Sequence, residues 1–182
     1  MARTLPAAYA RMHPSNELAR LEAQLRTAFE GPAWHGPAVL ELLRDVTPVE
    51  AAARPIAGAH AIWELVLHLT ACYDLVLRRL RGDGRQLTPA EDWPPMAKPT
   101  DANWQEAIAA LRGRNEATRV AVLRFDPAHL AAPLVPEPPY TAYEQLIGLT
   151  QHDLYHAGQI ALLKRAIRGV GATATGSIEK TT

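Results

Sequence analysis

Apolar residues recur every three or four positions in four long stretches of the chain, and this spacing is typical of amphipathic α-helices. The pattern predicts long helices over residues 16–30, 59–81, 101–124 and 141–168. A chain that carries four such apolar faces and no credible strand pair is predicted to fold as an all-α bundle of four long helices.

Capping and turn residues mark where these helices begin and end. Gly31-Pro32 predicts the end of the first helix, and Thr47 to Glu50 and Thr141 to Glu144 have capping-box spacing. Asp101 is the predicted N-cap of the third long helix, and the fourth is predicted to end near 168–169. A short helix is predicted over 37–45 and a helical turn after Thr47.

The chain length fits one domain. The 182 residues divide into an N-terminal extension (1–15), the helical domain (16–169) and a small, polar C-terminal tail (170–182) that we expect to be mobile. The chain has 19 basic and 19 acidic residues, so it lacks the net charge that is typical of proteins that bind nucleic acids or membrane surfaces. No secretory or membrane-spanning segment is predicted, so we expect a cytoplasmic protein.

The polar residues on two apolar faces supply candidate chemistry. His152 and His156 are four residues apart, so both imidazoles leave the same face of the fourth long helix. His68 interrupts the apolar face of the second long helix. Three inward imidazoles suit a divalent metal such as zinc, nickel or iron, and three protein ligands leave a position for water or substrate.

The single cysteine, Cys72, lies one turn after His68. It excludes an intrachain disulfide and a CxxC zinc site, and we interpret it as a small buried residue, not as a ligand or nucleophile.

The run RPIAGAHAIWELVLHLTACYDLVLRRLRG, followed by LTQHDLYHAGQIALLKRA, resembles the DinB-like superfamily of metal-binding four-helix bundles. The resemblance extends from about residue 16 to 168. It implies an up-down-down-up bundle with a long crossover, metal ligands at His68, His152 and His156, and a homodimer. The family includes thiol S-transferases acting on low-molecular-weight thiols, a maleylpyruvate isomerase and members without an established reaction.

Other residues have open roles. Glu64 is a candidate catalytic or ligand-orienting carboxylate, or else a carboxylate at the rim, and Gln159 is a candidate hydrogen-bond partner near the site. Asn115 and Thr118 line a cavity or face solvent, and Trp93 is a candidate roof for the pocket. Tyr155 is a candidate contact with a partner subunit. Trp34, Trp63 and Trp104 are interpreted as core or interface anchors, and His13, His35 and His129 as residues without a site role.

Three functions fit these observations. The first is a metal-dependent transferase or hydrolase that activates a small thiol or water. The second is a metal-binding protein for stress, sensing or sequestration that does not turn over a substrate. The third is a helical bundle with buried histidines and no metal.

Overall fold

Four long helices dominate the chain. The computed structural model describes the backbone of residues 14–175 and the side chains of residues 17–169. The long helices are α1 (Pro14–Glu30), α4 (Ile62–Arg79), α6 (Asp101–Arg124) and α7 (Ala142–Thr175). The short helices are α2 (Val39–Leu43), α3 (Pro48–Ala52) and α5 (Pro89–Asp92), and a 3-10 turn covers Pro127–His129. The parts of the predicted extension and tail that fall on 1–13 and 176–182 lie outside the described residues.

The predicted apolar faces meet in one core. Helix α1 packs on α6 and α7, and α4 packs on the same two helices. The residues of the four faces that are fully enclosed include Leu25, Leu65, Leu111 and Ile160, each at most 2% exposed. Between residues 14 and 175 the only β-type pairing is an isolated bridge from Pro133 to Thr141. The all-α prediction is therefore confirmed.

Capping residues set most helix boundaries as predicted. Thr47 accepts a hydrogen bond from the Glu50 backbone N–H, and Thr141 and Glu144 form the second predicted capping box. Gly31 follows α1 with a φ of 81°, a conformation that glycine adopts without strain.

Several predicted boundaries differ from the structure: α1 begins at Pro14 and not at 16, α2 covers Val39–Leu43 and not 37–45, and α4 covers Ile62–Arg79 and not 59–81. Two further differences have a clear physical reason. Thr100, not Asp101, caps α6, because Thr100 has the extended backbone of an N-cap and its hydroxyl accepts from the Asn103 N–H at 3.3 Å. Helix α7 continues through Gly169 and Gly171 to Thr175, and each glycine costs only about 1 kcal/mol inside a helix.

Helix α5 lies between the second and third predicted long helices, in a segment for which no helix was predicted. Its first turn carries the same capping box as α3, with Thr88 accepting from the Glu91 N–H and the Glu91 carboxylate accepting from the Thr88 N–H. Helix α5 packs against α4 and brings Asp92 and Trp93 to its surface at His68. In the described part of the chain, no helix has both the length and the apolar character needed to cross a bilayer.

Candidate metal centre

The three predicted histidines lie together where α4 meets α7. The Nε2 atoms of His68 and His152 are 3.1 Å apart, and those of His156 and His152 are 3.0 Å apart. His68 is 8% exposed and His156 is 4% exposed, whereas His152 is half-buried. The structure therefore brings together all three side chains on which the metal prediction depends.

These separations match those of donors around one small cation. With Zn–N bonds of 2.0–2.1 Å, ligand nitrogens are about 3.4 Å apart at a tetrahedral angle and about 2.9 Å apart at a right angle. Both measured Nε2 to Nε2 distances fall between these limits. The donor set thus fits a divalent transition metal.

Hydrogen bonds fix which nitrogen of two imidazoles faces the centre. His68 Nδ1 lies 3.0 Å from the Asp92 backbone carbonyl oxygen and 3.0 Å from its Oδ1, and His156 Nδ1 lies 2.7 Å from Gln159 Oε1. Because these oxygens accept, each Nδ1 carries the hydrogen and each Nε2 presents its lone pair to the centre. Metal-binding histidines are commonly oriented by such bonds.

His152 stands between the other two rings. Its Nδ1 is buried and has no hydrogen-bond partner among the described residues. Burial and then the neighbouring imidazoles of His156 and His68 lower the pKa of His152 to about 4, so its ring is neutral at pH 7. If Nε2 of a neutral His152 carries a hydrogen, that hydrogen can bond to the lone pair of either His68 Nε2 or His156 Nε2, but not fully to both. A cation can instead accept a lone pair from the Nε2 atom of each of the three rings.

Cys72 is partly buried against the core, as predicted, and it also lies beside this cluster. Its Sγ lies 3.7 Å from His68 Nε2 and 3.9 Å from His152 Nε2. His68, Cys72 and His152 form a group whose donor atoms all lie within 4.8 Å of one another. Burial, and then the charges of Asp92 and Asp153, raise the pKa of the Cys72 thiol to about 12 against the opposing effect of Arg79. A sulfur donor one turn after His68 was readable from the sequence.

Comparison with protein families identifies this architecture. A model of the DinB superfamily matches residues 33–160 of the chain. The chain belongs to the DinB superfamily. No curated protein and no solved structure matches it.

Trp93 covers one face of His68 in this DinB bundle. The two rings are parallel within 1° with centroids 4.0 Å apart, and His60 also stacks on Trp93 with centroids 3.6 Å apart. The other tryptophans lie elsewhere. Trp63 and Trp104 are buried, with ring centroids 5.0 Å apart. Trp34 is fully exposed, which excludes the core alternative for this residue and leaves a role at an interface as a prediction.

Glu64 is engaged in contacts of its own. Its carboxylate accepts from the Ala61 N–H at 2.8 Å, pairs with Arg54 at 2.5 Å and lies 3.5 Å from His60 Nδ1. Burial alone would raise the pKa of Glu64, but the bonds from Ala61 and Arg54 outweigh it and lower the pKa. These contacts make Glu64 a cap of α4, and its catalytic role stays a prediction.

A cluster of buried polar side chains lies behind the imidazoles, and the sequence pattern singled out Asn115 but not Tyr73 or Asp153. The Tyr73 hydroxyl donates to Asp153 Oδ2 and accepts from Asn115 Nδ2 at 2.8 Å, so it links α4, α7 and α6. Burial raises the pKa of Asp153 to about 7, although the bond from Tyr73 opposes this. Thr118 is buried too, and its hydroxyl donates to the Arg114 carbonyl oxygen at 2.8 Å.

A groove of about 460 Å³ leads from this DinB site toward the C-terminal end of α4. Cys72 and His152 line one end of the groove, and Arg79 and Gln145 line the other. A small molecule in this groove can therefore reach Cys72 and His152.

Proposed function

We propose that this DinB protein binds a divalent transition metal through His68, His152 and His156 and activates a small thiol or water for transfer or hydrolysis. Zinc, nickel and iron are the candidate metals. A bound divalent cation lowers the pKa of a coordinated thiol or water enough to give a nucleophile at neutral pH.

One observation carries the proposal: the Nε2 atom of His152 lies 3.1 Å from that of His68 and 3.0 Å from that of His156, and hydrogen bonds orient the two outer rings toward it. The chain's own residues provide the rest. Asp92 and Gln159 hold their rings, Trp93 shields His68 from solvent on one face, and the groove beside His152 admits a substrate.

A second function is supported by Cys72. If its sulfur joins the three imidazoles, the metal has four protein ligands, and closed four-ligand sites are typical of structural zinc. The protein would then serve in stress response, sensing or sequestration without turnover. This alternative is supported by the position of Cys72 Sγ, which lies 3.7 Å from His68 Nε2 and 3.9 Å from His152 Nε2.

Metal analysis of protein purified without an affinity tag tests the site. After reconstitution at pH 7, we expect about one equivalent of metal in the wild type and less than about a tenth in His152→Ala, because removing the central nitrogen breaks both close pairs. His129→Ala is the control, since His129 is exposed and pairs with Asp126. Less than about a tenth of an equivalent in reconstituted wild type would favour the metal-free bundle.

Cobalt substitution and turnover assays separate the two metal functions. If only the three histidines bind the metal and a fourth position is open, the Co²⁺ protein has no sulfur-to-cobalt absorption until a thiol is added, and Cys72→Ala retains metal. For the closed site, the absorption is present from the start and is lost in Cys72→Ala. A panel of thiols and electrophiles then shows conjugation only for the open site, and His156→Ala removes it with modest unfolding.

The finer architecture is part of this proposal. Helices α4 and α7 run antiparallel, because His68 contacts His152 whereas Arg79, farther along α4, contacts Gln145, which is earlier in α7. Helices α4 and α6 run parallel, because Trp63 contacts Trp104 near the start of both helices and Asp74 pairs with Arg114 farther along both. Both trends support the up-down-down-up connection.

The homodimer also stays a proposal. Tyr155 is 65% exposed and Leu162 is 58% exposed, and they lie seven residues apart on the outer face of α7. Light scattering of the wild type and of Leu162→Glu tests this face, and a monomeric wild type would contradict it.

A further inference from the structure

The groove beside the candidate metal centre ends at a buried arginine. Arg79 is 8% exposed and lines the groove together with Gln145, Cys72 and His152. Its Nη1 donates to Gln145 Oε1 at 2.9 Å, and its Nη2 donates to Gln86 Oε1 at 2.7 Å. Both partners are neutral amides, so they satisfy two N–H groups without balancing the charge.

No described carboxylate lies within ion-pair distance of Arg79. Glu144 lines the same groove, but its Oε2 accepts from the backbone N–H and the hydroxyl of Thr141, both at 2.8 Å. Arg79 Nε is buried without a hydrogen-bond partner. A buried cation without a counter-ion is costly, and buried charges in proteins are normally paired.

From these observations we infer that Arg79 is the binding site for the carboxylate of a small organic anion whose other end lies at Cys72 and His152. Three of the five guanidinium N–H groups are not engaged by Gln145 or Gln86, and a planar guanidinium matches a carboxylate. One guanidinium between two neutral amides balances one negative charge, which favours a monoanionic carboxylate over a phosphate.

The groove also sets the size of the ligand. Cys72 and Arg79 are seven residues apart on α4, which corresponds to about 10 Å along the helix axis. A short aliphatic chain with a carboxylate at one end and a reactive group at the other spans this distance. The inference rests on the proposed function for the reactive end, whereas the carboxylate end depends on Arg79 alone.

Calorimetric titration of matched probes tests the inference. In metal-loaded wild type, mercaptohexanoate should bind at least about tenfold more tightly than mercaptohexanol, because a charge-assisted pair with arginine is gained. Arg79→Gln should bring the two affinities within about twofold and leave that of mercaptohexanol unchanged. Arg124→Gln, an exposed arginine in a different groove, is the control and should keep the preference.

A metal-free arm separates this inference from the proposed function. Hexanoate should bind metal-free wild type more tightly than hexanol, and Arg79→Lys should weaken that preference because lysine lacks the planar fork. If the protein binds no metal but prefers hexanoate to hexanol, the proposed function is contradicted and the carboxylate site at Arg79 is supported.

Equal binding of the charged and neutral probes by wild type in both arms would overturn the inference, and this comparison needs no variant. Inorganic phosphate that displaces hexanoate at lower concentration would overturn the assignment to a carboxylate.

Discussion

Two oxygens of Asp92 determine which nitrogen of His68 faces the other imidazoles. The backbone carbonyl oxygen and the carboxylate Oδ1 both lie 3.0 Å from His68 Nδ1. The carbonyl is sufficient to fix the tautomer. The carboxylate adds negative charge, which makes Nε2 a stronger donor toward a cation.

Asp92→Asn should therefore weaken metal binding without abolishing it. We expect a loss of about tenfold in affinity, at the low end of the range for such partners, because the backbone carbonyl remains. Competition with a chelator measures the affinity. Asp83→Asn is the control, since Asp83 is exposed and its carboxylate accepts from the Arg85 N–H, away from the imidazoles. Equal affinities of Asp92→Asn and wild type would contradict this role of Asp92.

The sequence predicted the three histidines but not all of their neighbours. Helical periodicity places His68, His152 and His156 on inward faces, and hydrogen-bond partners on the same helix, such as Gln159, follow from spacing. Asp92 is 24 residues from His68, and its position depends on the path of the segment that contains α5. That path is set by packing against α4, which a linear pattern does not encode.

At the scale of helices, one hydroxyl joins three elements. Tyr73 on α4 is the hydrogen-bond partner of Asp153 on α7 and Asn115 on α6, and all three side chains are at most 1% exposed. Buried polar groups that lose a partner cost about 1–3 kcal/mol each. The three helices therefore depend on this hydroxyl for their relative register.

Tyr73→Phe should lower the free energy of unfolding by about 2 kcal/mol, because Asp153 loses a donor and Asn115 loses an acceptor. Urea unfolding at pH 7 measures the change. Tyr143→Phe should unfold at the wild-type midpoint, since Tyr143 is 40% exposed and is not one of the residues of the proposed dimer face. A Tyr73→Phe midpoint equal to that of wild type would show that the link does not stabilise the bundle.

The four long helices were predictable because each carries an apolar face several turns long. Asp153 was missed although it lies between Leu149 and His156 on the inward side of α7, because a carboxylate is normally assigned to the surface. Helix α5 was missed although Thr88 and Glu91 form a capping box, because its four residues are too short to show an apolar face.

At the scale of the molecule, a group of charges fastens the connection between α1 and α4 to the far end of α7. Lys164 and Arg168 both pair with Asp45, at 2.6 and 2.8 Å, and Arg168 also pairs with Glu50 at 3.0 Å. The hydrogen bond from Lys164, and then that from Arg168, hold the pKa of Asp45 well below its ordinary value of 3.8.

This depressed pKa predicts a pH dependence of stability. A carboxylate with a folded-state pKa below 3.8 stabilises the fold above that pH, and this contribution is lost as pH falls through the folded-state pKa. Asp45→Asn should cost about 0.5–1 kcal/mol at pH 7, since the side chain is 57% exposed, and progressively less below about pH 4.

Urea unfolding from pH 7 to 2.5 tests this expectation, and a double-mutant cycle with Arg168→Gln isolates the pair. Strict additivity of the two substitutions, or a deficit that does not change with pH, would contradict the assigned role of Asp45.

The contact between His68 and His152 joins positions 84 residues apart. A partly folded chain with α7 formed alone offers an ion only the local His152 and His156 pair. The complete donor set exists only after α4 has docked on α7 and the intervening chain has closed into a loop, which costs conformational entropy. The amount of bound ion would thus measure how much of the protein has reached the native packing of α4 on α7. Unfolding of either helix would separate the ligands and release the ion.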